Sequence, residues 1–93
     1  MPWIHATLSG SAGPVEDLAR DLASAAAGAA GLDPSDVVAL VTVATAAAGS
    51  GALVTIAGRP RDPSTEAGIA TAVRQVVATA TGVGANLVAV VRS

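Results

Sequence analysis

An internal repeat constrains this chain more than any other feature. A strand-like run, a helix-like run and a second strand-like run occupy residues 1–46, and the same order returns in residues 52–93. In the first unit, Trp3–Ser9 alternates so that Ile4, Ala6 and Leu8 share one apolar face. "SGSAGP" then breaks the chain, and Pro14 suits the first turn of a helix whose positive end carries Glu16 and Asp17. Val15, Leu18, Leu22, Ala25, Ala26 and Ala29 form an apolar stripe at helical spacing. Glu16 and Arg20 form an i,i+4 pair on the opposite face, and Gly31 ends the helix. Asp33 is placed to cap a turn at Pro34 and Ser35. The run "VVALVTVAT" that follows reads as a central strand covered on both faces.

The second unit follows a small-residue connection, "AAAGSG". It comprises the buried strand "ALVTIAG", the segment "RPRDPST" with Asp62 and Pro63 opening a helix, and the strand "LVAVV" after "GVGAN". Ile69, Val73, Val76, Val77 and Ala80 make the helix stripe. Two consecutive β-α-β units predict one α+β domain over residues 1–93, a four-stranded mixed sheet with both helices on one face. Hydrophobic residues are 52% of the chain, mostly Ala and Val, with no Phe or Tyr and one Trp. Side chains this small bury little area each, so a 93-residue monomer is marginal. The strands also leave little polar material for water on the second sheet face, which is expected to pack against identical subunits.

Charge excludes several functions. Only 13% of residues are charged, the net charge is −2, and five Arg stand without any Lys. The chain has neither the basic stripe nor the aromatic surface of a nucleic-acid binder. It has no uninterrupted apolar run long enough to span a membrane and no basic signal-peptide start, so a cytoplasmic location is expected. There is no Cys, and one His cannot furnish the usual zinc set, so neither metal nor cofactor is expected.

Two stretches carry possible chemistry. In "MPWIHATLSG", removal of Met1 would free the Pro2 nitrogen, an α-amine of ordinary pKa about 7.7–8.0. Burial at an apolar strand end lowers that value and leaves a base near neutral pH. In "GRPRD", Arg59 and Arg61 are two apart and point to one side of an extended segment, suiting them to grip a carboxylate. A solvated loop remains the other reading of this pair. His5 reads as a structural histidine bonded to a neighbouring strand, and Trp3 as filler of core or interface volume. Arg20 and Arg74 read as solvated helix charges, and Arg92 as reaching a neighbouring subunit.

With Pro at position 2, the Gly31-Leu32-Asp33-Pro34 turn before the second strand and Arg after the third, the chain resembles the tautomerase superfamily. Its length of two β-α-β units is similar to the macrophage migration inhibitory factor and malonate semialdehyde decarboxylase branches. The resemblance implies a homotrimer in which Pro2, once Met1 is gone, is the catalytic amine. Arg59 and Arg61 would hold the carboxylate of a small substrate. Asp36, near where the decarboxylase branch carries an acidic residue, would orient or activate water, unless it is only a turn aspartate. The implied activity is that of a tautomerase, isomerase or related decarboxylase. Leu32 stands in the turn where the inhibitory-factor branch has a lysine, and the chain lacks that branch's tyrosine, which favours an Arg-based site for a small carboxylate. The second half is also similar to bacterial microcompartment shell subunits, a structural alternative, and an inactive tautomerase-fold binding protein is a third.

Overall fold

Period-two alternation and two helical stripes give six main elements, seen in a computed structural model that describes residues 2–10 and 13–93. Met1, and residues 11 and 12 of the predicted break, lie outside them. The elements are β1 (Trp3–Leu8), α1 (Val15–Ala30), β2 (Val38–Val43), β3 (Ala52–Ala57), α2 (Pro63–Thr81) and β4 (Val88–Arg92). Short 3-10 turns, Pro34–Asp36 and Ala85–Leu87, precede β2 and β4. The sheet order is β2-β1-β3-β4. β1 runs parallel to β2 and β3 parallel to β4, each pair joined by its helix, and β1 and β3 meet antiparallel at the centre.

The inward face expected for β1 and the core of both helix stripes are buried, and β3 adds an inward face of its own. Ile4, Ala6 and Leu8 of β1 and Val54 and Ile56 of β3 pack beneath Leu18, Leu22 and Ala26 of α1 and Ile69, Val73 and Val77 of α2. The helices also pack on each other, which draws Ala27 into the core beside the expected stripe and leaves Ala80 exposed. The repeat shows in the burial itself: Leu22 and Val73 are both wholly buried at matching helix positions. Gly31 and Gly82 end the two helices in the same left-handed conformation, φ 71°, where a side chain would be strained.

Four expectations are corrected. β2 is an edge strand, half-exposed along its length, because the crossover through α1 returns it to the outside of β1. Its apolar outer side is uncovered within one chain. Arg20 pairs with Asp17 at 3.1 Å, not with Glu16. Arg74 is not merely solvated, since its Nε donates to the Val88 carbonyl at 3.2 Å and ties α2 to β4. Arg92 is engaged within the chain, donating from Nη2 to the Gly58 carbonyl at 2.6 Å. The face opposite the helices exposes Trp3, Leu40, Leu53 and Val91. His5 Nε2 lies 2.8 Å from Thr42 Oγ1 on that face, a cross-strand bond that matches its structural reading.

Candidate functional site

Register decides which chain segments meet at the end of the sheet. Trp3 sits opposite Val38 on one side and Ala57 on the other, so the start of β1, the start of β2 and the end of β3 share one edge. Pro2, immediately before β1, is buried. Its carbonyl accepts the Val38 N–H at 3.0 Å, which fixes the proline by the same ladder that fixes the strand. Gly31 turns the chain at the end of α1, and the Leu32 N–H closes that turn on the Ala27 carbonyl at 2.9 Å. The 3-10 turn then presents Asp36, and the chain leaving β3 presents Arg61. Pro2, Leu32, Asp36 and Arg61 line one pocket of about 210 Å3.

Three of the four residues singled out in the sequence are therefore brought together from three separate elements. Arg59 is exposed and is not among the residues lining this pocket. The turn-aspartate role belongs to Asp33, whose Oδ1 accepts the Ser35 N–H at 2.9 Å and the Ser35 hydroxyl at 2.7 Å. Those bonds hold the Asp33 carboxyl below its ordinary pKa. They also set the turn that carries Asp36. Asp62 caps α2 in the same way, accepting from the Thr65 N–H and hydroxyl, and its carboxyl is likewise lowered.

Chemically, the residues lining the pocket include a proline, an aspartate and an arginine around a space that fits a small molecule. A guanidinium supplies a planar fork for an anion, and a carboxylate supplies an acceptor for a proton or a water. Among the described residues, no group of three or more His, Cys, Asp or Glu is placed to hold a metal. Among those residues, no helix is long and apolar enough to cross a membrane.

Two residues beside the site were not singled out from the sequence. Glu66 accepts the Arg61 N–H at 2.9 Å on Oε1, and its Oε2 lies 3.7 Å from Arg92 Nε. A Glu early in a helix that opens on Asp is a capping signal, and that signal could have drawn attention to Glu66. Nothing local in the sequence indicates that Arg92 joins it.

No protein-family model matches the chain, and no curated protein matches it in sequence. Solved structures do. A fused 4-OT described as a wild-type symmetric trimer superposes with a TM-score of 0.85 at 19% identity, over 98% of this chain and 83% of that one. A macrophage migration inhibitory factor-like protein from Entamoeba histolytica gives a TM-score of 0.84 at 13% identity, over 99% and 87%. Pt0534 inactivated by 2-oxo-3-pentynoate gives 0.79 at 16% identity, over 99% and 82%. The chain has the tautomerase-superfamily fold, with two β-α-β units fused in one polypeptide.

Proposed function

We propose that the chain is an enzyme of the tautomerase type, with Pro2 as general base and acid on a small carboxylate-bearing substrate. The observation that supports this most directly is the single pocket lined by Pro2, Asp36 and Arg61. With Met1 removed, the Pro2 nitrogen is a secondary amine. Its burial at the strand end favours the neutral form, which takes a proton from carbon next to a carbonyl and, once charged, returns it elsewhere on the substrate. Arg61 binds the carboxylate and Arg59, one turn of chain away, reinforces the positive charge at the mouth. Asp36 orients water or the substrate's polar end.

The working form is a homotrimer. The open sheet face exposes Trp3, Leu40, Leu53 and Val91 around the His5–Thr42 bond, and no charge lies between Asp36 and Arg59 to protect the β2 edge. The fused 4-OT structure is a trimer. Trp3, 47% exposed on that face of one chain, reports assembly: its emission is expected to shift to the blue as subunits associate, and sedimentation at the same concentrations should give three chains.

The reagent 2-oxo-3-pentynoate, which inactivates Pt0534, tests the chemistry. Conjugate addition joins an amine nitrogen to the alkyne carbon distal to the ketone, and the proton ends on the neighbouring carbon. The adduct therefore carries the full mass of the reagent. Intact mass and peptide mapping should place one adduct per chain on Pro2. If a chain lacking Met1 stays unmodified and also fails to turn over small unsaturated or β-keto acids, it is a binding protein with this fold and not an enzyme.

A further inference from the structure

The turn that carries Arg59 and Arg61 is anchored at its two ends by one ion pair. Gly58 begins it with φ 116°, a conformation open to glycine, and the Gly58 carbonyl accepts Arg92 Nη2 at 2.6 Å. Arg61 closes it, its N–H donating to Glu66 Oε1 at 2.9 Å. Arg92 Nε then faces Glu66 Oε2 at 3.7 Å. Glu66 and Arg92 are only 26% and 30% exposed at the side chain, so the pair is partly shielded from water. The link runs from the last residue of β4 through α2 to the backbone of Arg61.

Helix capping alone does not account for this arrangement. Asp62 already caps α2, bonding Thr65 through both its backbone and its hydroxyl. An ordinary capping box would return to the cap residue's own N–H, whereas Glu66 reaches one residue further back, to Arg61. The Arg92–Gly58 bond lies outside the helix altogether. The internal repeat supplies a control. If Leu22 matches Val73 and Val37 matches Val88, then Glu66 corresponds to Val15 and Arg92 to Val41, neither of which carries charge. Among the described residues, this ion pair has no counterpart in the other half, and it stands in the half whose turn borders the Pro2 pocket.

We infer that Glu66 and Arg92 are positioning residues for the arginine turn, clamping Gly58 and Arg61 so that the Arg61 side chain stays over the pocket. The clamp acts on carboxylate affinity and not on the amine. This rests on Arg61 being the carboxylate-binding group.

The test uses the inactivation kinetics of 2-oxo-3-pentynoate, with backbone exchange as a second readout. Glu66→Ala and Arg92→Met should raise the half-saturating reagent concentration about three- to tenfold, while the limiting inactivation rate stays at the wild-type value. Glu66→Gln, which keeps an acceptor for the Arg61 N–H, should recover part of the loss. The Arg61 amide should lose hydrogen-exchange protection in Glu66→Ala. Asp62→Ala, which removes only the cap, should lower thermal stability without moving the half-saturating concentration. Two failures are separable. If Arg61→Ala weakens binding but Glu66→Ala and Arg92→Met do not, the clamp is overturned alone. If Arg61→Ala itself binds as wild type, the carboxylate assignment falls and the clamp falls with it. Equal losses in Asp62→Ala and Glu66→Ala would reduce the clamp to helix capping.

Discussion

The two ends of the sheet are built alike and equipped differently. At one end Pro2 precedes β1, Leu32 follows the Gly31 cap, and Asp36 and Arg61 complete the pocket. At the other, Gly51 precedes β3 and Val83 follows the Gly82 cap, with Ser9, Ser50 and Thr81 around a recess of about 140 Å3. Among the described residues this second recess has no ionisable lining residue, and the hydroxyls of Ser9 and Thr81 serve the backbone. Ser9 Oγ accepts the Gly51 N–H at 2.9 Å, and Thr81 Oγ1 donates to the Val77 carbonyl at 2.7 Å while accepting the Val83 N–H at 3.2 Å. A larger open recess nearby, about 360 Å3, is lined by small and apolar residues such as Ala44, Ala48 and Leu53. One backbone plan thus provides two cradles, and among the described residues only the one at Pro2 is lined by ionisable side chains, Asp36 and Arg61. On the proposed function, chemistry would follow the side chains placed on the repeat and not the repeat itself.

The sharpest way to break that comparison is to silence the Pro2 amine without disturbing the fold. A chain extended ahead of Pro2, so that its nitrogen remains an amide with no lone pair free to add, should form no Pro2 adduct with 2-oxo-3-pentynoate. Gly51→Ala alters the residue that leads into β3 at the other end. A Cβ there would sit 3.1 Å from the Leu87 carbonyl oxygen, so some stability is lost, but the reaction rate should not change. Equal rate losses in the two proteins would show that the ends are not chemically distinct.

The halves should be equal where they share the core. Leu22→Ala removes a wholly buried side chain from α1 and should cost about 2–5 kcal/mol in denaturant unfolding at fixed protein concentration. Its counterpart Val73→Ala, equally buried in α2, should cost less only because valine is smaller. If one half unfolded at lower denaturant than the other, the two units would not form a single cooperative core.

At the Pro2 end, the two arginines separate by position. Arg61 lines the pocket and Arg59 does not. Arg61→Ala should therefore raise the half-saturating reagent concentration about tenfold to a hundredfold, as expected for a lost charged hydrogen bond, and Arg59→Ala should raise it less. The reverse order would move the anion site out to the mouth.

How much of this was legible in the sequence depends on how local each signal is. The order of elements, the inward face of β1, the Gly31 cap and the Asp33 and Asp62 caps follow from patterns within a few residues, and all are present. The meeting of Pro2, Asp36 and Arg61 is not local. It depends on β1 pairing parallel to β2 and antiparallel to β3, and the resemblance to a known family, more than periodicity, brought these residues into view. The position of β2 was misread because an uncharged strand looks the same whether its cover comes from its own chain or from another. The Glu66–Arg92 pair was missed because the two residues lie on different elements and make contact only after α2 has packed on the sheet.

A smaller difference between the halves lies at the helix starts, and acid exposes it. α2 opens on Asp62, whose side chain caps it, whereas α1 opens on Pro14 with no side-chain cap. The Asp62 carboxyl is held below its ordinary value of 3.8, first by the Thr65 hydroxyl and then by the Thr65 N–H. A carboxyl lowered in the folded state binds its proton more weakly there than in the unfolded chain. Its contribution to stability is therefore complete above the ordinary aspartate range and is lost as pH falls through the folded value. Asp62→Asn keeps an acceptor for Thr65 but does not titrate. Thermal unfolding of this variant should match wild type more closely in acid than at neutral pH, and the gap between the two proteins should narrow as pH drops below the carboxylate range. Asp33→Asn should behave in the same direction at the turn carrying Asp36, because Ser35 lowers that carboxyl by the same kind of bonds. A constant gap at every pH would mean that neither carboxylate's charge contributes to holding its turn, and that the two helix starts differ in sequence but not in stability.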